Sequence, residues 1–472
     1  MTLTQAAPTR VVRPGLSTAG LVTVLLGAAL PIIDFFIVNV ALPTINADLH
    51  ASTATLELVV AAYGISYALL LVVGGRLGDA YGRRRLFFIG LMAFTLTSLL
   101  CGIAPSVDML VLARALQGAA SALMLPQVLS IIQASTSGES RSKALGLYGA
   151  MGGISTVVGQ LVGGLLVSAD LWGTGWRPIF LVNVPIGLVG LWLARQTLPE
   201  SRSENPHGVD RLGTVLLGVS ILSLLVPLME GRALGWPVWS IVLLAVFPFA
   251  VWGFVVVERR IERSGAMPLL PPSVLRMPSM RRGLLVGVPF FAGFGAFMFV
   301  VAVTLQEGLH FGPLKSGLAL TPMAVGFFTM SLVSSRFVTR YGQRVVVAGA
   351  AIQLLGLLVL VGTVAMAWPS ITVLDLAPGM LLAGVGQGLA MTTLFRIVLS
   401  RVPTEIAGVG SGVMTTTQQA SLALGIATLG SLFASLIGSI GVRDAFMTVI
   451  GLQAALTAGV MWFARRLPDP RG

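Results

Sequence analysis

Long apolar runs recur from one end of this chain to the other, and that recurrence limits its fold more than any other feature. Fourteen runs can be marked, at 17–41, 56–75, 86–104, 107–133, 143–168, 177–197, 212–230, 236–257, 283–305, 316–335, 345–368, 371–395, 406–437 and 444–464. Each is near or above the ~18 residues needed to cross about 30 Å of hydrocarbon. Only 10% of the 472 residues are charged, against roughly 25% in an ordinary soluble domain. A water-soluble core cannot bury so much apolar surface, whereas a bilayer removes the need to. No hydrophilic stretch is long enough to form a separate domain. The expected fold is an all-α membrane protein of fourteen helices. Arg10 and Arg13 precede the first run as in a signal peptide, but the run is too long for an h-region and reads as a retained first helix.

The charges say how the helices are threaded. The net charge is +12, yet the basic residues lie in short loops without the aromatic-interleaved face of a nucleic-acid binder. With both termini and every even-numbered loop in the cytoplasm, 25 of the 30 basic residues fall on that side. Four fall outside (Arg177, Arg232, Lys315 and Arg443), and Arg114 lies inside a span. This positive-inside bias predicts an even helix count with both ends cytoplasmic. The single cysteine, Cys101, excludes an intrachain disulfide and reads as packing. His50, His207 and His310 lie in separate loops with no metal or acid–base spacing, so an enzyme is not expected. Nor is there a Gly-x-x-x-x-Gly-Lys-Ser/Thr loop for ATP.

The chain repeats itself. After the second run stands Gly75-Arg-Leu-Gly-Asp79-Ala-Tyr-Gly82-Arg83-Arg84-Arg85; 260 residues later Arg336, Tyr341, Gly342 and Arg344 match Arg76, Tyr81, Gly82 and Arg84. Gln117-Gly118 likewise returns as Gln387-Gly388. Two copies of a six-helix unit follow, 1–198 and 261–472, with two inserted helices in 199–260. Parallel repeats of this kind place a substrate site near the midplane, between the copies.

These residues resemble the major facilitator superfamily, and more narrowly its fourteen-helix drug:proton antiporter branch. Asp34-Phe-Phe-Ile-Val-Asn39-Val-Ala-Leu-Pro43 is similar to that branch's first-helix pattern, whose acid is tied to proton coupling. An intramembrane carboxylate is expensive and functional by default, and an acid taken out of water holds its proton more readily. Residues 75–85 resemble the inner-loop gating motif, in which Gly75 would allow close helix approach, Gly82 a tight turn, and Asp79 pairing with Arg83 or Arg84 to hold one access state closed. Arg114-Ala-Leu-Gln117-Gly118 is similar to the motif with an intramembrane arginine, which would act on the neighbouring acid. Gly159, Gln160, Gly163 and Gly164 resemble the antiporter motif of the fifth helix, with Gln160 where that motif has proline.

The resemblance implies a proton-coupled exporter of small lipophilic or cationic compounds in a bacterial inner membrane. It would be driven by the proton gradient, with no cofactor and no nucleic acid, and be monomeric. Asp34 and Arg114 would couple protons, with substrate and proton sharing one charge balance. Asn39, Gln117, Phe290, Phe294 and Phe297 are candidates for the substrate cavity. Glu57 is a possible second acid, though its place near a helix start suggests a solvated carboxylate; the same reading applies to Glu307 and Asp375.

Overall fold

The computed structural model describes residues 16–136, 138–202, 210–231, 234–402 and 407–469. Arg10, Arg13, His207, Arg232 and Arg471 lie outside them. The described chain is helical nearly throughout, as lipid requires of any segment that is not a closed barrel. Its elements are α1 (Thr18–Leu49), α2 (Thr53–Tyr81), α3 (Arg83–Gly102), α4 (Val107–Ser135), α5 (Gly138–Ala169), α6 (Pro178–Leu181), α7 (Asn183–Thr197), α8 (Arg211–Glu230) and α9 (Val238–Arg263). They continue with α10 (Pro272–Arg276), α11 (Pro278–Val303), α12 (Pro313–Tyr341), α13 (Arg344–Ala367), α14 (Val373–Leu399), α15 (Ala407–Gly425) and α16 (Ser431–Ala464).

Short polar side chains start many of these helices by accepting from free backbone N–H groups. Ser17 accepts from Gly20, Ser52 from Thr55, Ser106 from Met109 and Asp210 from Gly213. Thr372 and Asp375 form a reciprocal capping box at α14, so Asp375 is the surface helix-start acid that the sequence suggested.

Among the described residues, twelve helical stretches are long and apolar enough to cross a membrane. Two details separate this number from the runs in the sequence. α5 is not among the twelve and contributes the shorter apolar segment Val158–Ala169. The last two runs form one stretch, Gly412–Ala464, passing from α15 through a π-helical turn (Ile426–Gly430) into α16. It is broken at Gly441, whose φ of 77° and ψ of 164° are not helical.

The packing has a repeat of its own. α2 lies against α4 as α12 lies against α14; α3 meets α4 and α7 as α13 meets α14 and α16; α1 meets α5 as α11 meets α15. Gly82 (φ 109°) and Gly342 (φ 58°) close matching turns, donating to Gly78 O and Val338 O respectively. Only glycine adopts such backbone without penalty. The two groups of helices meet through α5 against α12 and α2 against α15. The α8–α9 pair packs on itself and on α2. Its outer face is apolar and exposed, with Phe249 73% and Trp252 69% accessible, as a surface meant for lipid would be.

Candidate functional site

The first group of helices encloses a fully buried ion pair. Asp34, midway along α1, accepts a hydrogen bond from Arg114 Nη1 of α4 through Oδ2, and neither side chain is accessible. Asp34 Oδ1 accepts from Gln117 Nε2 and from Asn183 Nδ2, each at 2.9 Å. Both amides also donate to Ser98 Oγ of α3, which in turn donates to Phe180 O. Arg114 donates from Nε to Val59 O at 3.1 Å and from Nη1 to Gln117 Oε1 at 2.8 Å. Its guanidinium carbon stands 4.4 Å from the centre of the Tyr63 ring. The Tyr63 hydroxyl is 2.7 Å from Ser121 Oγ. Arg114, Gln117 and Ser121 share one face of α4 by their spacing.

Burying two charges is unfavourable unless the geometry is good and the remaining polar atoms are satisfied. Here five helices supply those atoms. Only Arg114 Nη2 has no partner among the described residues. The arrangement holds one titratable acid in a dry place, with a permanent cation beside it and three neutral hydrogen-bonding groups around it. It can therefore exist in two charge states without changing its neighbours' identity.

Beside this network, between the two groups, lies a cavity of about 570 Å³, within the usual range for small-molecule sites. Phe35, Phe36, Tyr63, Tyr67 and Tyr148 line it from one group; Phe294, Met298, Met323, Phe327 and Phe395 from the other. It reaches Leu129 and Leu399 near the ends of α4 and α14 that lie on the side of the α2–α3 loop. At the other end the groups are closed together. Gln306 Nε2 donates to Val40 O, Leu314 N donates to Ser168 Oγ, and Ser431 Oγ donates to Glu57 Oε2 at 2.7 Å.

Asp34 and Arg114 do not line the cavity. Phe35 and Tyr63 line it, and Tyr63 carries Arg114 on its ring. The ion pair and the cavity are thus separate and adjoining, with Tyr63 between them. Of the five cavity candidates, Phe294 is on the wall. Asn39 is spent on its own helix, donating to Phe35 O and Phe36 O. Gln117 belongs to the ion-pair network. Phe290 packs edge-on against Phe291. Phe297 faces a small void with Gln353, Gln387 and Gln453.

Glu57 is not a solvated helix-start group. It lies a turn inside α2 and is 1% exposed, covered by Ser431 of α16. Glu307 is exposed, as its place near a helix end suggested.

In the inner-loop motif, Asp79 pairs with Arg83 at 2.8 Å, one turn away in the same segment. This pair is local and does not bridge the two groups. Arg84 donates to Glu200 Oε1 from its backbone and to Arg195 O from its side chain. Arg76 reaches further, to Met267 O at 3.0 Å and to Pro268 O, and so ties α2 to the connection after α9. Gly75 is not the point of close approach, since a Cβ there would sit 3.6 Å from Pro126, an ordinary contact. Gly74 is: its Cβ would fall 2.1 Å from Ala122 O of α4. In α5, Gly159 and Gly163 lie against Ile33 O and Ile37 O of α1, and Gly164 against Pro313 O at the start of α12. Gln160 is buried at that crossing and lines the cavity.

Sequence reasoning gave no site role to Ser98, Tyr63 or Asn183. The available signal was their polarity inside apolar runs.

Membrane-length helices packed twice over in one pattern, around a chamber large enough for a small molecule, define a multi-pass membrane transporter. The chain belongs to the major facilitator superfamily, whose family model matches residues 24–426. It is 38% identical over 418 residues to a probable actinorhodin transporter of Streptomyces coelicolor, covering 88% of this chain and 72% of that protein. It is 33% identical to the puromycin resistance protein pur8 of Streptomyces alboniger, covering 93% and 85%. It is also 33% identical to the multidrug resistance protein Stp of Mycobacterium tuberculosis, covering 87% and 74%. Among solved structures, a POT family transporter in complex with 5-aminolevulinic acid superposes with a TM-score of 0.70 over 97% of this chain and 99% of that one, at 12% identity. That likeness concerns the fold alone.

Proposed function

We propose that this protein exports small lipophilic molecules from a bacterial cell by proton antiport, through alternating access. The observation that carries the reading is the dry Asp34–Arg114 pair set directly behind the wall of an inter-group cavity. In the cycle, Asp34 takes a proton while the chamber faces outward and releases it when the chamber faces inward. Protonation leaves Arg114 without its counter-charge, which alters the packing of α1 and α4 and so the chamber wall at Phe35 and Tyr63. The proton gradient is the energy source, and the protein acts as a monomer without a cofactor and without catalysing a reaction.

Fourteen crossings with both termini cytoplasmic fit this reading best. Helix of 53 residues at about 1.5 Å each is near 80 Å, far more than one ~30 Å crossing, so Gly412–Ala464 divides at Gly441 into two. α5, 32 residues long and flanked by α1 and α12, is long enough to cross once. The units are then 1–198, the inserted pair in 199–260, and 261–472. On this orientation the cavity faces the cytoplasm.

The test is transport in proteoliposomes. Native protein takes up substrate when the lumen is acid and releases protons when substrate is added. Asp34→Asn abolishes the pH-driven uptake while substrate-for-substrate exchange continues. Undiminished pH-driven uptake by Asp34→Asn would overturn the proton role. Relatives described as a probable actinorhodin transporter, a tetracenomycin C resistance and export protein and a cephamycin export protein favour a second reading with the same machinery, export of a compound the cell itself makes.

A further inference from the structure

Gln160 departs from the pattern of the fifth helix, and the structure gives the departure a use. Its side chain is 1% exposed, lines the cavity, and has neither its Nε2 nor its Oε1 hydrogen-bonded among the described residues. Buried amides are rarely left with both ends unpaired. Ser331 Oγ and Gln419 Oε1, on the facing wall, are likewise without partners among the described residues. Among the described residues, no Asp, Glu, Lys, Arg or His lines the chamber. The rest of its lining is chiefly apolar, with eight aromatic residues and three methionines among aliphatic side chains and the polar Thr392, Thr415 and Gln418, a surface that favours flat apolar ligands.

From these observations we infer that Gln160 is the chamber's polar recognition group, and that its ligand is an uncharged polycyclic aromatic bearing a ring carbonyl, not a lipophilic cation. The inference rests on the exporter reading and narrows its substrate. A cation would be stripped of water with no carboxylate in the wall to replace it. The acid behind the wall is already neutralised by Arg114. The Tyr63 ring already carries that arginine on its face. A ring carbonyl, by contrast, accepts from Gln160 Nε2, and a hydroxyl beside it donates to Oε1. The amide sits where α5 crosses α12, with Gly317 against the Gln160 carbonyl, so ligand binding bears directly on a contact between the two groups.

The test is equilibrium dialysis of the full-length protein in lipid nanodiscs at pH 7, with partitioning into empty nanodiscs subtracted. The probes are anthraquinone, anthracene and tetraphenylphosphonium. Filling an otherwise unpaired buried amide is worth about tenfold in affinity. Native protein therefore binds anthraquinone about tenfold tighter than anthracene, and tighter than the cation. Gln160→Leu removes that advantage and leaves anthracene binding unchanged or stronger. Equal binding of anthraquinone and anthracene by the native protein would refute the inference without recourse to any variant. So would preference for the cation, or an unaltered quinone affinity in Gln160→Leu. Failure of the exporter reading is seen elsewhere, as absence of any pH-driven uptake in proteoliposomes, and a lost ligand preference with intact transport indicts only the role of Gln160.

Discussion

The two groups of helices share a packing plan but not a chemistry. Gly118 meets the backbone of α2, where a Cβ would lie 2.2 Å from Tyr63 O; Gly388 meets α12, where a Cβ would lie 2.5 Å from Phe327 O. The glutamine before each glycine is buried. In the first group it serves a charged pair, Asp34 with Arg114. In the second, Gln387 borders a small void with Gln353, Gln453, Phe294 and Phe297, and no ionisable residue takes part. The repeat has kept the close backbone approaches that let helices pack and slide, and among the described residues the buried ion pair stands on one side only. Among the described residues, one copy holds a buried ion pair, while the other buries polar groups but no charge.

The largest way to break this comparison is to remove the charge. Asp34→Asn or Arg114→Gln alone strands a buried ion or polar partner and lowers stability by about 3–5 kcal/mol. The double substitution recovers most of that loss, yet pH-driven transport stays at the level of empty liposomes in all three. A double-mutant cycle of thermal melts in detergent, run beside the uptake assay, measures both. A second, smaller effect should be equal on the two sides. Gly118→Ala and Gly388→Ala each push a Cβ into a carbonyl oxygen and cost about 1–3 kcal/mol, visible as matched drops in melting temperature. An unequal drop would break the packing symmetry. Third, Glu57→Gln keeps an acceptor for Ser431, so uptake stays within about twofold of native, as expected when a hydrogen bond of roughly 1 kcal/mol survives. Loss on the scale of Asp34→Asn would make Glu57 a second proton carrier and end the idea of a single one. The smallest effect belongs to Gln387→Leu, which changes stability by less than about 1 kcal/mol and leaves the pH dependence of transport untouched.

Much of this was legible in the sequence because hydrocarbon is a demanding solvent. It forces apolar runs, confines basic residues to loops, and makes a lone Asp34 or Arg114 conspicuous. The mutual placement of Asp34, Arg114 and Gln117 could be suspected from their resemblance to known patterns. Ser98, Asn183 and Tyr63 were harder to single out: polarity inside an apolar run was their one signal, and small polar and aromatic residues are ordinary in membrane helices. Glu57 was misread for a different reason. Its cover comes from Ser431, 374 residues away, and local pattern carries nothing of such contacts. The same holds for the close approach at Gly74 rather than Gly75, which is fixed by the rotation of α2 against α4. The break at Gly441 falls between the last two runs, yet no glycine count shows that helix resumes at once on the other side.

Tyr63 stands as a partition with a drug-sized room on one side and a live electrical contact on the other. Evolution can refurnish that room most freely from the opposite wall, where Phe294, Met323 and Phe327 can be exchanged without disturbing the wiring. New cargo can then be acquired while the motor is inherited unchanged.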